Sequence, residues 1–181
     1  MDAKFLTDHG VDELPVTNQT IAPDNTTEII YDALGRPYRV EAGGRASMRL
    51  GNPTSTTFDD TNWTVLPFDT VTQTKNGFVC DINNGTITVP RDGIYEVSSG
   101  VDAGFPGTEE LNLMVFVNGS PYSSYPMAIQ GRSNNKPVAL YWESTVSLSA
   151  GDVLDIRGQN GDSGSFTCNI LRMIFAVDEA R

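Results

Sequence analysis

Apolar and polar residues alternate with a period of two along most of the chain after residue 58, and no stretch there carries the 3.6-residue spacing of a helix. The alternation predicts strands over residues 63–68, 77–81, 85–89, 93–101, 111–117, 138–148, 153–159 and 166–177. Between them lie turn formers: Asn83-Asn84-Gly85, Arg91-Asp92-Gly93, Asn118-Gly119, Ala150-Gly151-Asp152 and Asn160-Gly161-Asp162. Short strands at regular spacing with turns of this kind predict an all-β, jelly-roll β-sandwich for residues 58–181.

Residues 1–57 follow another pattern. Their apolar positions are scattered among Pro15, Pro23, Pro37, Pro53 and the pair Gly43-Gly44, which reads as an extended amino-terminal arm with frequent turns. One local unit stands out, because Glu28-Ile29-Ile30-Tyr31 and Tyr38-Arg39-Val40-Glu41 flank a Gly-containing loop and predict a small hairpin. A lone two-stranded hairpin is barely stable in water. It is therefore expected to lie on a surface, which makes Ile29, Tyr31, Tyr38 and Val40 candidate partner contacts.

Two predicted strands are apolar on both faces. In 111–117, Leu111, Leu113, Val115 and Val117 share one face while Met114 and Phe116 occupy the other. In 166–177, Leu171, Met173, Phe175 and Val177 stand opposite Ile174 and Ala176. Such strands need cover on both sides, one from the sandwich core and the other from a second body. That body is either another copy of the chain or the arm folded back over the sheet.

Composition narrows the function classes. Hydrophobic residues make up 39% and charged residues 19%, too apolar for disorder and too polar for a membrane span. The formal net charge of -11 repels phosphate backbones, so nucleic acid is not an expected partner. Residues 1–10 lack the basic end and apolar run of a secretory signal, so export by the general route is not expected.

Catalytic chemistry is poorly supplied, and the expectation is that the protein is not an enzyme. His9 is the single histidine and lies near the start, away from the predicted sandwich. Cys80 and Cys168 lack metal-finger spacing and sit in apolar alternating stretches, where they are either free buried thiols or a disulfide. Glu109 with Glu110, or Asp59 with Asp60, could serve as a glycosidase pair in principle, but they have the character of loop charges on an acidic protein. Aromatic rings in Ser120-Pro121-Tyr122-Ser123-Ser124-Tyr125-Pro126 and in Tyr141-Trp142 are either candidate contacts for a protein or sugar surface, Tyr122 and Tyr125 above all, or packed between strands of the sandwich.

The order of motifs over residues 63–178 resembles the tumour-necrosis-factor-like and complement globular-head superfamily. The residues that carry the resemblance are Pro67-Phe68-Asp69-Thr70-Val71, then residues 85–97 with Pro90, Gly93 and Tyr95, then Val115-Phe116-Val117-Asn118-Gly119, then residues 146–154 with Leu148, Gly151 and Asp152. The resemblance implies a jelly roll assembled as a threefold homotrimer, with aromatic and aliphatic side chains along the axis. Tyr95, Phe116 and Phe175 are then the candidate axis residues.

Members of that superfamily without a signal peptide or collagen stalk include trimeric heads on virions of bacterial viruses. The resemblance thus implies a virion structural protein, a capsid decoration (cement) or head-fibre protein whose partners are the major capsid protein or other virion proteins. Residues 1–57 would dock and residues 58–181 would form the head. The alternative is a receptor- or carbohydrate-binding tip of a tail fibre that meets a host-surface glycan. No cofactor is expected. Calcium stays open, because some members bind it near the trimer apex and Asp152, Asp155 and Asp162 offer oxygen ligands, although without the spacing of a calcium-binding helical hand.

Overall fold

The computed structural model describes residues 27–31, 37–41, 43–123, 126–132 and 136–180, the first two segments as backbone only. The chain divides into two units, Met1–Gly43 and Gly44–Arg181. In the first, β1 (Thr27–Tyr31) and β2 (Pro37–Glu41) pair antiparallel, with Thr27 opposite Glu41 and Tyr31 opposite Pro37.

The second unit is a sandwich of two antiparallel sheets. Its first strands are β3 (Arg45–Leu50), β4 (Thr54–Asp59), β5 (Thr64–Val65), β6 (Thr70–Thr74), β7 (Val79–Asp81) and β8 (Thr86–Thr88). Then come β9 (Gly93–Gly104), β10 (Glu110–Val117), β11 (Ser120–Pro121), β12 (Met127–Gln130), β13 (Pro137–Leu148), β14 (Val153–Asn160) and β15 (Ser165–Glu179). One sheet has the order β13-β9-β15-β3-β6, with β4 beside the first half of β15. The other has the order β11-β10-β14-β8-β7, with β12 on β10 and β5 on β14.

The division of the chain falls after Gly43 and not after residue 57. β3 and β4 are sheet strands paired with β15, so the sandwich takes in residues from 44 onward. Ala46, Met48 and Leu50 of β3 face the core and are buried, while Arg45 and Arg49 point to water. β4, Thr-Ser-Thr-Thr-Phe-Asp, inserts only Phe58, which packs against Phe166 at 5.9 Å. Phe166 in turn stacks on Phe105 at 5.8 Å.

Local chemistry sets the turns. Asn118 and Gly119 both take positive φ, 51° and 76°, the geometry that lets β10 reverse into β11. The Asn118 side chain also donates to Asp152 Oδ1 at 2.7 Å and accepts from the Val153 amide at 3.0 Å, tying this turn to the start of β14. Asp69 performs a similar service for residues 51–52. Its carboxylate accepts the Gly51 and Asn52 amides at 3.0 and 2.9 Å and the Thr70 hydroxyl at 2.8 Å, and these bonds hold its pKa down to about 2.

Cys80 and Cys168 are free thiols. Burial pushes the Cys168 thiol up to about 12, as expected of a thiolate that would have to form away from water.

Candidate assembly face

β13, β9, β15 and β3 turn one side to the core and the other outward, and their registers align the outward residues in rows. Tyr141 stands beside Gly100, Gly100 beside Ile174, and Ile174 beside Arg49. Tyr141 is 65% exposed and Ile174 43%, the two large apolar side chains open to water in the middle of this face. Gly100 leaves a hollow between them, since a Cβ there would lie 3.4 Å from Ile174 Cγ2 and 3.7 Å from Tyr141 Cδ2.

The next row, Glu143, Ser98, Ala176 and Ser47, is small at its centre and keeps the face flat. Beyond it, Thr145, Glu96, Asp178 and Arg45 align, and Arg45 Nε meets Asp178 Oδ1 at 3.0 Å. Burial chiefly raises the Asp178 pKa; Arg45 opposes the shift, and Glu96 and Glu143 add to it. On the other side of the Tyr141 row, Arg172 pairs with Asp102 at 3.1 Å. A shallow groove of about 720 Å³ lies among Arg49, Tyr141, Arg172 and Ile174. The Tyr141 hydroxyl donates to Glu143 Oε2 at 2.8 Å, which ties the end of the ring to the next outward residue of β13.

The axis residues expected from sequence lie elsewhere. Tyr95 and Phe175 are fully buried inside one sandwich, so neither offers surface to a second copy. The Tyr95 ring meets Phe78 edge-on at 5.8 Å and its hydroxyl donates to the Arg91 carbonyl at 2.7 Å, while Phe175 packs against Phe68 at 6.2 Å. Phe116 belongs to the opposite sheet, on its outer side. It is covered by its own chain: Trp63 lies at 5.5 Å, and the Arg157 guanidinium sits 4.2 Å from the ring centre. Arg157 is held there by Asp155 through bonds of 2.6 and 2.8 Å. Within the second unit, Trp63 and Arg157 cover the outward ring of β10.

For β15, the alternation put Met173, Phe175 and Val177 on one face, which is the core face, and Ile174 and Ala176 on the outward one; Leu171, expected with the first set, falls at a bulge that brings Ile170 into the core instead. Ala176 is already buried by its neighbours, which leaves Ile174. Sequence alone gave no sign that Tyr141, Ile174 and Arg49 share a row, because three strand pairings bring them together.

Tyr122 is 41% exposed at the sandwich edge, its hydroxyl 3.4 Å from the Thr145 carbonyl, and it lines a cavity of about 140 Å³ with Met114, Met127 and Trp142. Tyr125 lies outside the described residues. Ile29, Tyr31, Tyr38 and Val40 fall on β1 and β2, where Ile29 pairs with Arg39, Tyr31 with Pro37, Tyr38 with Ile30 and Val40 with Glu28.

The carboxylates considered for metal or catalysis are spread among separate duties. Asp152 accepts from Ser149 and Asn118, Asp155 holds Arg157, and Asp162 accepts the Glu110 amide. Asp59 closes its own turn onto Thr61 and Asn62, and Asp60 accepts the Gly164 amide. Among the described residues, no three His, Cys, Asp or Glu side chains converge on one point.

No family model matches this sequence, and no curated protein matches it. Solved structures do. The globular domain of zebrafish complement 1qA protein superposes with a TM-score of 0.51 at 15% identity, covering 77% of this chain and 98% of that one. Murine APRIL gives 0.55 at 14% identity, covering 76% and 99%. Eiger TNF from S. frugiperda gives 0.58 at 12% identity, covering 77% and 93%. The fold is the C1q and tumour-necrosis-factor jelly roll. At these identities the likeness is one of architecture, and within this jelly roll the exposed Tyr141 and Ile174 belong to the sheet made of β13, β9, β15 and β3.

Proposed function

We propose that this chain is a non-enzymatic structural head that assembles as a homotrimer through the outward face of β13, β9, β15 and β3. The observation that carries this is the pair Tyr141 and Ile174, left open on either side of Gly100 with charged side chains around them. On the opposite sheet the outward ring of Phe116 is closed by Trp63 and Arg157, and the exposed Val65 and Val79 stand on the separate short strands β5 and β7. Exposed apolar side chains grouped on one face are the mark of an interaction surface.

The proposed setting is the virion of a bacterial virus, where the trimer decorates the capsid and stabilises it by contact with the major capsid protein. Fold alone does not fix function. What supports the setting is the division of the chain into a head and a separate unit with its own hairpin, one part to present and one to grip. Three grips on one trimer turn a weak contact into firm attachment by effective concentration.

The test combines light scattering with sedimentation onto purified capsids, using the full chain and a variant lacking residues 1–43. The expected result is a trimer in both cases, three times the 19.6 kDa chain mass for the full chain and three times its own smaller chain mass for the shortened variant, with capsid binding only for the full chain. Capsid binding that survives the deletion would overturn docking through residues 1–43. Binding of the isolated head to host glycans, lost on Tyr122→Ala, would make the protein a receptor-binding tip instead.

A further inference from the structure

The proposed assembly face is electrically two-sided. Its β13 and β9 half carries Glu143, Glu96 and Asp102 outward, while its β15 and β3 half carries Arg172, Arg49 and Arg45, with Asp178 the one acid among them. Within one copy, Arg45 pairs with Asp178 and Arg172 with Asp102. Glu143 receives only the Tyr141 hydroxyl among the bonds to its carboxylate described above. Arg49 is exposed and has no ion-pair partner among the described residues. Three strand spacings separate Arg49 from the Tyr141 end of its row, about 14 Å at the usual 4.8 Å per strand, so Arg49 and Glu143 of one chain do not meet.

We infer that copies of the chain are set in register head to tail, with Arg49 of one copy against Glu143 of the next. This rests on the self-assembly proposed above and names the contact that orients it. A ring in which each copy rotates into the next brings the β3 side of one sheet face onto the β13 side of its neighbour, and so the basic half onto the acidic half. A packing that set β13 against β13 would oppose Glu143 to Glu143 and leave the arginines facing one another, which like-charge repulsion disfavours. Tyr141 comes to the same contact. Its ring is tied to Glu143 by its hydroxyl and 65% exposed, and an aromatic ring is a surface on which the guanidinium of Arg49 stacks well.

Charge reversal tests the inference, because both side chains are exposed and their replacement leaves the core intact. Arg49→Glu and Glu143→Arg are made singly and together and followed by sedimentation equilibrium, with circular dichroism to confirm the fold. Each single variant is expected to weaken assembly at least tenfold, and the double variant to return to within about threefold of the wild type. Added salt should weaken the wild-type assembly as well. If the wild type assembles but the singles assemble normally, or the double is no better than the singles, the charge match is wrong while self-assembly stands. A monomeric wild type would remove both.

Discussion

Arg157 lies over the ring of Phe116 with its guanidinium 4.2 Å from the ring centre. This contact, made within one chain, covers the outward aromatic ring of β10. Asp155 fixes the guanidinium through two bonds, and that ion pair raises the Arg157 pKa despite partial burial. Trp63 packs against the same ring at 5.5 Å. Phe116→Ala should therefore cost about 3 kcal/mol or more of folding stability, from lost burial and the cavity left behind. The mass of the assembly should not change, since Phe116 is not on the assembly face. Urea unfolding and light scattering on one sample check both statements.

Asp69 links stability to acid. Its folded pKa of about 2 lies below the ordinary 3.8, so the folded state favours the carboxylate. The stabilisation is complete above the unfolded value and is lost as pH falls through the window from about 4 to 2. Asp69→Asn should lower stability at neutral pH and flatten the pH dependence across that window. Thermal melts at pH 7 and pH 3 make the comparison; an equal loss at both values would contradict it.

Cys168 should be inert to thiol reagents in the native state, since burial pushes its pKa to about 12. Cys80 is half-buried and its pKa is also raised, by desolvation. Labelling at pH 8 is expected to be slow for both, and slower for Cys168, then rapid for both in urea. Fast native labelling of Cys168 would mean that β15 opens far more readily than its central place in the sheet implies.

Alternation and turn residues revealed most of the sandwich. Residues 111–117, 138–148, 153–159 and 166–177 became β10, β13, β14 and β15 with small changes at their ends. The early strands escaped because they are written in threonine and serine. β4 and β6, Thr-Ser-Thr-Thr-Phe-Asp and Thr-Val-Thr-Gln-Thr, contain hardly an apolar residue, yet β-branched threonine suits an edge where neighbours supply the burial. β3 does alternate, but its outward Arg45, Ser47 and Arg49 gave it the polar look of an arm.

The site was less legible than the fold for a geometric reason. Alternation says which residues share a face, not which face meets the core. On β15 the larger set, with Phe175, went inside, and on β9 Tyr95 went with it. Only the pairing of four strands, distant in sequence, shows Tyr141, Gly100, Ile174 and Arg49 as neighbours.

Self-assembly through that row is tested most directly by sedimentation equilibrium of the wild type beside a Tyr141→Asp, Ile174→Asp double variant. The wild type should have three times the 19.6 kDa chain mass, and the double variant should be a monomer that keeps its β-sheet circular dichroism and melts no higher than the wild type, since assembly stabilises the folded state. A wild type that stays monomeric at high concentration, or a double variant that keeps the trimer mass, would contradict it.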